Sequence, residues 1–167
     1  MNEPEQRQQI YRATLDTNVF VRAIIQTDNL ANELIRLWRN KYFVLVLPKM
    51  VVEELQDVVS RRSFIRKYQY PLTRATHLID EINQRATIVE IQSSFEFCRD
   101  VSDNPLVDCA IQEKVHFLVS YDKDLLDDPE LNRNLFEYGV EIIDPLVFLE
   151  KLRDAEINTY ASNINID

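Results

Sequence analysis

Along the chain, short unbroken apolar runs alternate with longer stretches in which apolar residues recur every three or four positions. This is the βα alternation of a parallel-sheet protein. The first run, Tyr11 to Leu15, stops at Asp16 and predicts a strand. Helical spacing follows from about Val19 to Ile25 and again from Leu30 to Arg39, where Leu30, Leu34, Leu37 and Trp38 share one face. Tyr42 to Leu47 reads as a second strand meeting Pro48, and proline suits the start of the next helix, Lys49 to Ser60. Val51, Val52, Leu55, Val58 and Val59 recur there at helical spacing. Pro71 and Thr73 open a helix to about Arg85, which leads into a third strand, Thr87 to Ile91. The segment SSFEFCRDVSDN reads as loop, and Pro105 begins a helix through Lys114. His116 to Ser120 is the fourth strand and Val140 to Ile143 the fifth, before Asp144-Pro145 opens a last helix to about Leu152. The pattern predicts an α/β protein with a parallel sheet of about five strands.

Composition narrows what such a sheet can serve. At 167 residues the chain fits one domain, read as a flexible N-terminus over 1–10, a core domain over 11–152 and a polar tail over 153–167. No apolar run approaches the ~20 residues needed to span a bilayer, and MNEPEQRQQ is too polar for a secretory signal. The expectation is a cytoplasmic protein without membrane association. Cys98 and Cys109 lack a metal-ligand spacing and read as buried apolar residues. His77 and His116 are too isolated for zinc or acid–base work and read as structural. The single glycine, Gly139, excludes a Walker loop and a Rossmann fingerprint, which need glycines where backbone approaches phosphate. Nineteen Lys and Arg against 28 Asp and Glu give a net charge of −9, which argues against a bulk nucleic-acid binder. It does not argue against an enzyme whose acids hold divalent cations, since a bound ion inverts the local field.

The informative feature is where the acids fall. Ligands of open α/β sheets sit at the carboxyl ends of the strands. Asp16 follows the first strand, Asp122 follows the fourth, Asp103 stands before the helix leading into the fourth, and Glu53 or Glu54 lies early in the helix after the second. Singly, each has a plainer explanation. Asp16 could make an Asx turn, one of the two glutamates could serve the helix dipole, Asp103 could cap before Pro105, and Asp122 could cap the turn DLL. Together, four carboxylates from four parts of the chain could converge on one edge, enough for one or two hard cations of the Mg²⁺ type. Two such ions about 3.5–4 Å apart can activate water and steady the leaving oxygen of a phosphodiester.

Four blocks in order, LDTNVFVRAII, LPKMVVEELQDVVSRRSF, SDNPLVDCAIQEKVHFLVSYDKDLL and GVEIIDPLVFL, resemble the PIN-domain family of metal-dependent ribonucleases. Within it they resemble the PIN-family toxins of bacterial toxin–antitoxin systems. The resemblance covers roughly Ala13 to Leu152 and implies a three-layer α/β/α fold with a central parallel sheet. It implies that Asp16 and Glu54 are the first and second acids of the family's site, Asp103 the third, seven residues before Ala110, and Asp122 the fourth. Asp108 falls where this subgroup often carries a further acid. Five residues beyond Asp103, it is turned about 140° round a helix. Thr17, Asn18 and Ser120 match small polar positions that hold the acids. Tyr121 departs from the family pattern, which has a small or polar residue there, and a large ring at this position could narrow the cleft.

The resulting expectation is a metal-dependent endoribonuclease in which Asp16, Glu54, Asp103 and Asp122, with Asp108, bind Mg²⁺ or Mn²⁺ for attack of water on RNA. Substrate would be met by local cations, namely Arg22 and the run Arg61, Arg62, Arg66 and Lys67. Phe64, Tyr68 and Tyr70 interleave with that run and could add base stacking. The plainer reading of the run is a solvated helix end. The resemblance further implies an antitoxin protein over the cleft and a homodimer. Two rivals remain: a catalytically silent PIN-fold module binding RNA or protein, and a Mg²⁺-dependent phosphotransfer domain. The second is disfavoured by Asn18, two residues after Asp16, and by a middle strand offering only Glu90.

Overall fold

The computed structural model describes residues 10–92 and 104–164, with side chains described for 10–92 and 105–156. The loop expected over 93–104, with Cys98 and Asp103, lies outside the described residues apart from Asn104. Five strands, β1 (Tyr11–Leu15), β2 (Phe43–Pro48), β3 (Thr87–Val89), β4 (Phe117–Val119) and β5 (Glu141–Ile143), form one sheet in the order β3-β2-β1-β4-β5. Every pairing is parallel. Nine helices are described: α1 (Thr17–Ile25), α2 (Leu30–Arg39), α3 (Lys49–Ser60), α4 (Arg62–Tyr68), α5 (Leu72–Arg85), α6 (Asn104–Gln112), α7 (Lys123–Leu126), α8 (Pro129–Glu137) and α9 (Pro145–Ile164). Helices cover both faces of the sheet, giving the expected α/β/α sandwich.

The strands read as continuous apolar runs because both their faces are covered. Leu15, Leu45, Leu47 and Leu118 are fully buried, and Phe20, Ile24, Leu34 and Phe148 meet them from the helices. Aromatic rings tie the last helix to the sheet, with Phe148 edge-on to Phe43 at 5.0 Å between centroids. His116 is structural, its Nδ1 accepting the Arg12 backbone N–H at 3.0 Å, whereas His77 is exposed. Cys109 is buried as expected, and burial pushes its thiol pKa up to about 12, so it is inert at neutral pH.

Short polar signals start the helices where the sequence placed them. Asn29 caps α2 by accepting from Asn32 N–H at 2.9 Å. Asp144 caps α9 by accepting from the Leu146 and Val147 N–H groups. Gly139 turns the chain into β5 at φ 78°, a conformation that suits glycine.

Three helices, α4, α7 and α8, go beyond the sequence reading, and α9 runs to Ile164 where the helix was expected to end near Leu152. No Gly or Pro stands between Leu152 and Ile164 to stop it. Conversely β3 stops at Val89. Glu90 therefore lies beyond that edge strand, not in mid-strand, and pairs with Lys49 at 3.1 Å.

The strand order positions the site. The chain builds outward from β1 through β2 to β3, then returns to the other side of β1 for β4 and β5. The switch point is therefore between the carboxyl ends of β1 and β4, where the connections leave in opposite directions and a crevice opens. In register, Leu15 lies beside Val119, so the residues that follow both strands border that crevice.

Candidate active site

Asp16 is the first residue beyond β1, and its backbone N–H still donates to Val119 O on β4 at 2.9 Å. Its side chain makes no cap hydrogen bond of full geometry to α1, although the Asn18 backbone N–H, two residues on, favours its charged form. Instead Oδ2 accepts from Ser120 Oγ at 2.6 Å and from Asn18 Nδ2 at 2.8 Å. Ser120 Oγ in turn accepts from Asp122 N–H at 2.9 Å and from Asn18 Nδ2 at 3.2 Å. Asn18 Oδ1 accepts from Tyr121 N–H at 3.4 Å. The ends of β1 and β4 are thus stitched together by side chains of Asp16, Asn18 and Ser120, and two of these come from the sequence DTN.

Glu54 arrives from the first half of α3, and its Oε2 accepts from Thr17 Oγ at 2.8 Å. Glu53, its neighbour, is exposed on the same helix and does not line the cleft. Asp122 is the N-cap of α7, accepting from Asp124 N–H at 2.9 Å. The capping role weighed from sequence is real, and it leaves Asp122 facing the same opening as the other acids. Asp16, Glu54 and Asp122 line one cleft of about 620 Å³, together with Thr17 and Asn18. Its remaining wall is built by Val21, Arg22, Ile25 and Gln26 of α1 and its end, Val58 of α3, and Tyr68 of α4.

Burial raises the Asp16 pKa above the usual carboxylate value. The Ser120 hydroxyl and the Asn18 backbone N–H oppose the rise, and the charges of Glu54 and Asp122 add to it. A carboxylate raised mainly by burial, with two further acids lining the same cleft, is a candidate functional group. Among the described residues, Arg22 is the only cation lining the cleft, and its guanidinium carbon lies 3.9 Å from the centroid of the Tyr121 ring. The Tyr121 ring is therefore not among the cleft-lining residues but packs against Arg22. The ring gives that cation a cation–π support.

The donor set suits a hard cation. Every candidate ligand is a carboxylate oxygen, and the buried one is destabilised in its charged form until a positive charge arrives. Among the described residues, no three His, Cys, Asp or Glu side chains already stand close enough together to form a ready-made metal cluster. A Mg²⁺-like ion needs only one or two carboxylates, with water and substrate oxygen completing its shell.

The other anticipated residues are placed elsewhere. Asp108 is buried on α6 at 3% exposure and is not among the residues lining the cleft. Asp103 lies outside the described residues, directly before α6. Arg61 pairs with Asp57 one turn back on α3. Arg62, Arg66 and Lys67 are exposed on α4, where Arg66 and Lys67 complement the negative end of the helix dipole. Tyr70 is buried, its hydroxyl donating to Val59 O at 2.6 Å, so of the interleaved aromatics Tyr68 alone reaches the cleft. The apolar wall itself was not read from sequence. Its one signal is the spacing of Val21 and Ile25, i and i+4 on α1, which reads equally as core.

A family model for the PIN domain matches residues 12–124. The match spans well over half of the chain, so the chain belongs to the PIN domain family, whose fold is that of nucleases. A curated relative, the uncharacterized protein MJ1680 of Methanocaldococcus jannaschii, is 25% identical over 125 residues, covering 74% of this chain and 79% of the relative. PIN domains are generally nucleases that use divalent metals. Among the described residues no helix is long and apolar enough to cross a membrane.

Proposed function

We propose that this chain is a metal-dependent endoribonuclease hydrolysing RNA phosphodiester bonds, with Mg²⁺ or Mn²⁺ as the ion. One observation carries the reading: Asp16, Glu54 and Asp122, from three separate parts of the chain, line a single cleft at the switch point of the sheet. These three would hold the ion, joined by Asp103 on the family pattern. When bound, the ion lowers the pKa of attacking water and neutralises charge on the phosphorane-like transition state. The protein's own groups fix the ligands beforehand. Ser120 and Asn18 hold Asp16 Oδ2, and Thr17 holds Glu54 Oε2, so little reorganisation is left for the reaction. Arg22, supported on Tyr121, offers a fixed cation for a substrate phosphate at the cleft rim.

The role of a toxin in a toxin–antitoxin pair rests on the resemblance of the four sequence blocks. It would place a small antitoxin over the acidic cleft and a homodimer in solution. The rival is a PIN-fold module that binds RNA or protein without turnover, and intact acids with their supporting hydrogen bonds weigh against it.

The test incubates the purified protein, and an Asp16→Asn/Asp122→Asn variant, with single-stranded and structured RNAs in Mn²⁺, in Mg²⁺ and in chelator. The expected result is cleavage that requires metal and disappears in the variant. Millimolar Mn²⁺ should also raise the melting temperature of the parent and leave that of the variant unmoved, since a ligand stabilises the state it binds. Cleavage persisting in the variant would sink the mechanism. Metal binding without cleavage of any RNA would favour the silent module.

A further inference from the structure

The cleft is larger and less polar than carboxylates and ions require. Beside the acids, Val21 and Ile25 of α1, Val58 of α3 and Tyr68 of α4 bring apolar surface into the same 620 Å³ opening. Tyr68 is 37% exposed, a large ring left open at the lip of a charged site. It is braced from below by Phe64 at 4.6 Å between centroids. Lys67 Nζ lies 4.9 Å from its centroid, and Arg22 lines the cleft near the acids. The opening does not end there. A second cavity of about 520 Å³ shares Ile25 and Gln26 with the first and continues along Thr27, Asp28, Gln69 and Arg74, so that one acid and one cation border it.

We infer that the apolar half of the cleft is a nucleobase subsite. An unstacked base next to the scissile phosphate lodges against Tyr68, Ile25 and Val58, and the strand continues past Gln26 into the adjoining cavity. This inference rests on the nuclease reading and adds to it where specificity resides. The chemistry matches one ligand class. A flat apolar face beside cations, set next to a cation-binding set of acids, complements a nucleotide whose base is splayed from its neighbours and whose phosphate is charged. A basic peptide could neutralise the carboxylates but would meet Arg22 and Lys67 as like charges. A base held in a duplex cannot reach Tyr68 without unstacking, so the subsite also makes single-stranded character next to the cut a requirement of this site.

Stacking of one base on one aromatic side chain changes binding by roughly 5- to 150-fold, which sets the scale of the test. A single-stranded RNA that the protein cleaves is resynthesised with one abasic nucleotide, walked through the two positions on either side of the scissile bond. Each strand is assayed with the parent, Tyr68→Ala and Tyr68→Phe, after thermal unfolding confirms that all three are folded. At one position the parent should lose about tenfold in kcat/KM on removal of the base. Tyr68→Ala should be about tenfold slower on the intact strand and indifferent to base removal at that position, while Tyr68→Phe should behave as the parent. A parent indifferent to base removal at all four positions would overturn the subsite and leave the nuclease standing. A Tyr68→Ala variant that keeps the parent's sensitivity would overturn the subsite in the same way. A parent that cleaves no RNA overturns both readings at once.

Discussion

Ser120 is the residue on which the site's geometry most depends, although it lines no part of the cleft. It is fully buried, and its hydroxyl donates to Asp16 Oδ2 at 2.6 Å while accepting from Asp122 N–H at 2.9 Å. Ser120→Ala removes all of this at once. The bond to ionised Asp16 is charge-assisted and contributes about 1.5–3 kcal/mol, and the bond from Asp122 N–H adds about 0.5–1.5 kcal/mol. The contact from Asn18 Nδ2 is discounted because that group also donates to Asp16 at 2.8 Å. The expected loss is therefore about 2–4.5 kcal/mol, or roughly 4–18 °C in melting temperature for a domain of this size. Urea unfolding at pH 7, followed by far-ultraviolet circular dichroism and by the fluorescence of the single tryptophan, Trp38, measures it directly. The penalty should shrink as pH falls through the Asp16 titration, because the bond to a protonated carboxyl is a neutral one. It should also shrink when Ser120→Ala is made in an Asp16→Asn background. A loss below about 0.5 kcal/mol at pH 7, or a loss independent of the Asp16 background, would refute the account of Ser120 as the brace of a buried charge.

Two further outcomes follow from the same geometry. Because burial raises the Asp16 pKa in the folded state above its unfolded value, the charged side chain opposes folding at neutral pH. Its cost is absent below the unfolded value, grows between the two values and is complete above the folded one. Asp16→Asn should therefore be more stable than the parent at pH 7 in chelator, on the order of 1 kcal/mol, with the difference vanishing near pH 3; parallel melting curves across that range, or a less stable variant at pH 7, would contradict the sign. Tyr121→Leu should free Arg22 from its stacked position and weaken single-stranded RNA binding in chelator about 3- to 10-fold, with Tyr121→Phe unaffected. Equal affinity of Tyr121→Leu and parent, measured by fluorescence anisotropy at low salt, would mean that Arg22 does not need the ring.

How much of this was legible in the chain differs from element to element. The five strands and the acids at their ends could be read because a strand covered on both faces must be continuously apolar, and because a carboxylate directly after such a run is forced to the sheet edge. Asp16 and Asp122 needed nothing more. Edge details escaped: β3 ends at Val89, short of the expected Ile91, because edge pairing with β2 alone decides where a strand stops. Helix α4 escaped because its seven residues are mostly polar and exposed, so that periodicity, which reports burial, had little to report.

What the sequence determined by itself was the alternation of elements, the absence of glycine-rich phosphate loops, the placing of Asp16 and Asp122 at strand ends and the family it resembles. Tertiary structure alone decided the strand order that brings β1 and β4 together, which sequence-local patterns cannot encode because register and neighbour depend on what packs across the sheet. It also decided that Ser120 braces Asp16, that Tyr121 supports Arg22, and that Tyr68 returns from α4 to the site. Each of these is a contact between side chains far apart in the chain. Their strength comes from a shared, partly dry environment that exists only once the fold has closed around them.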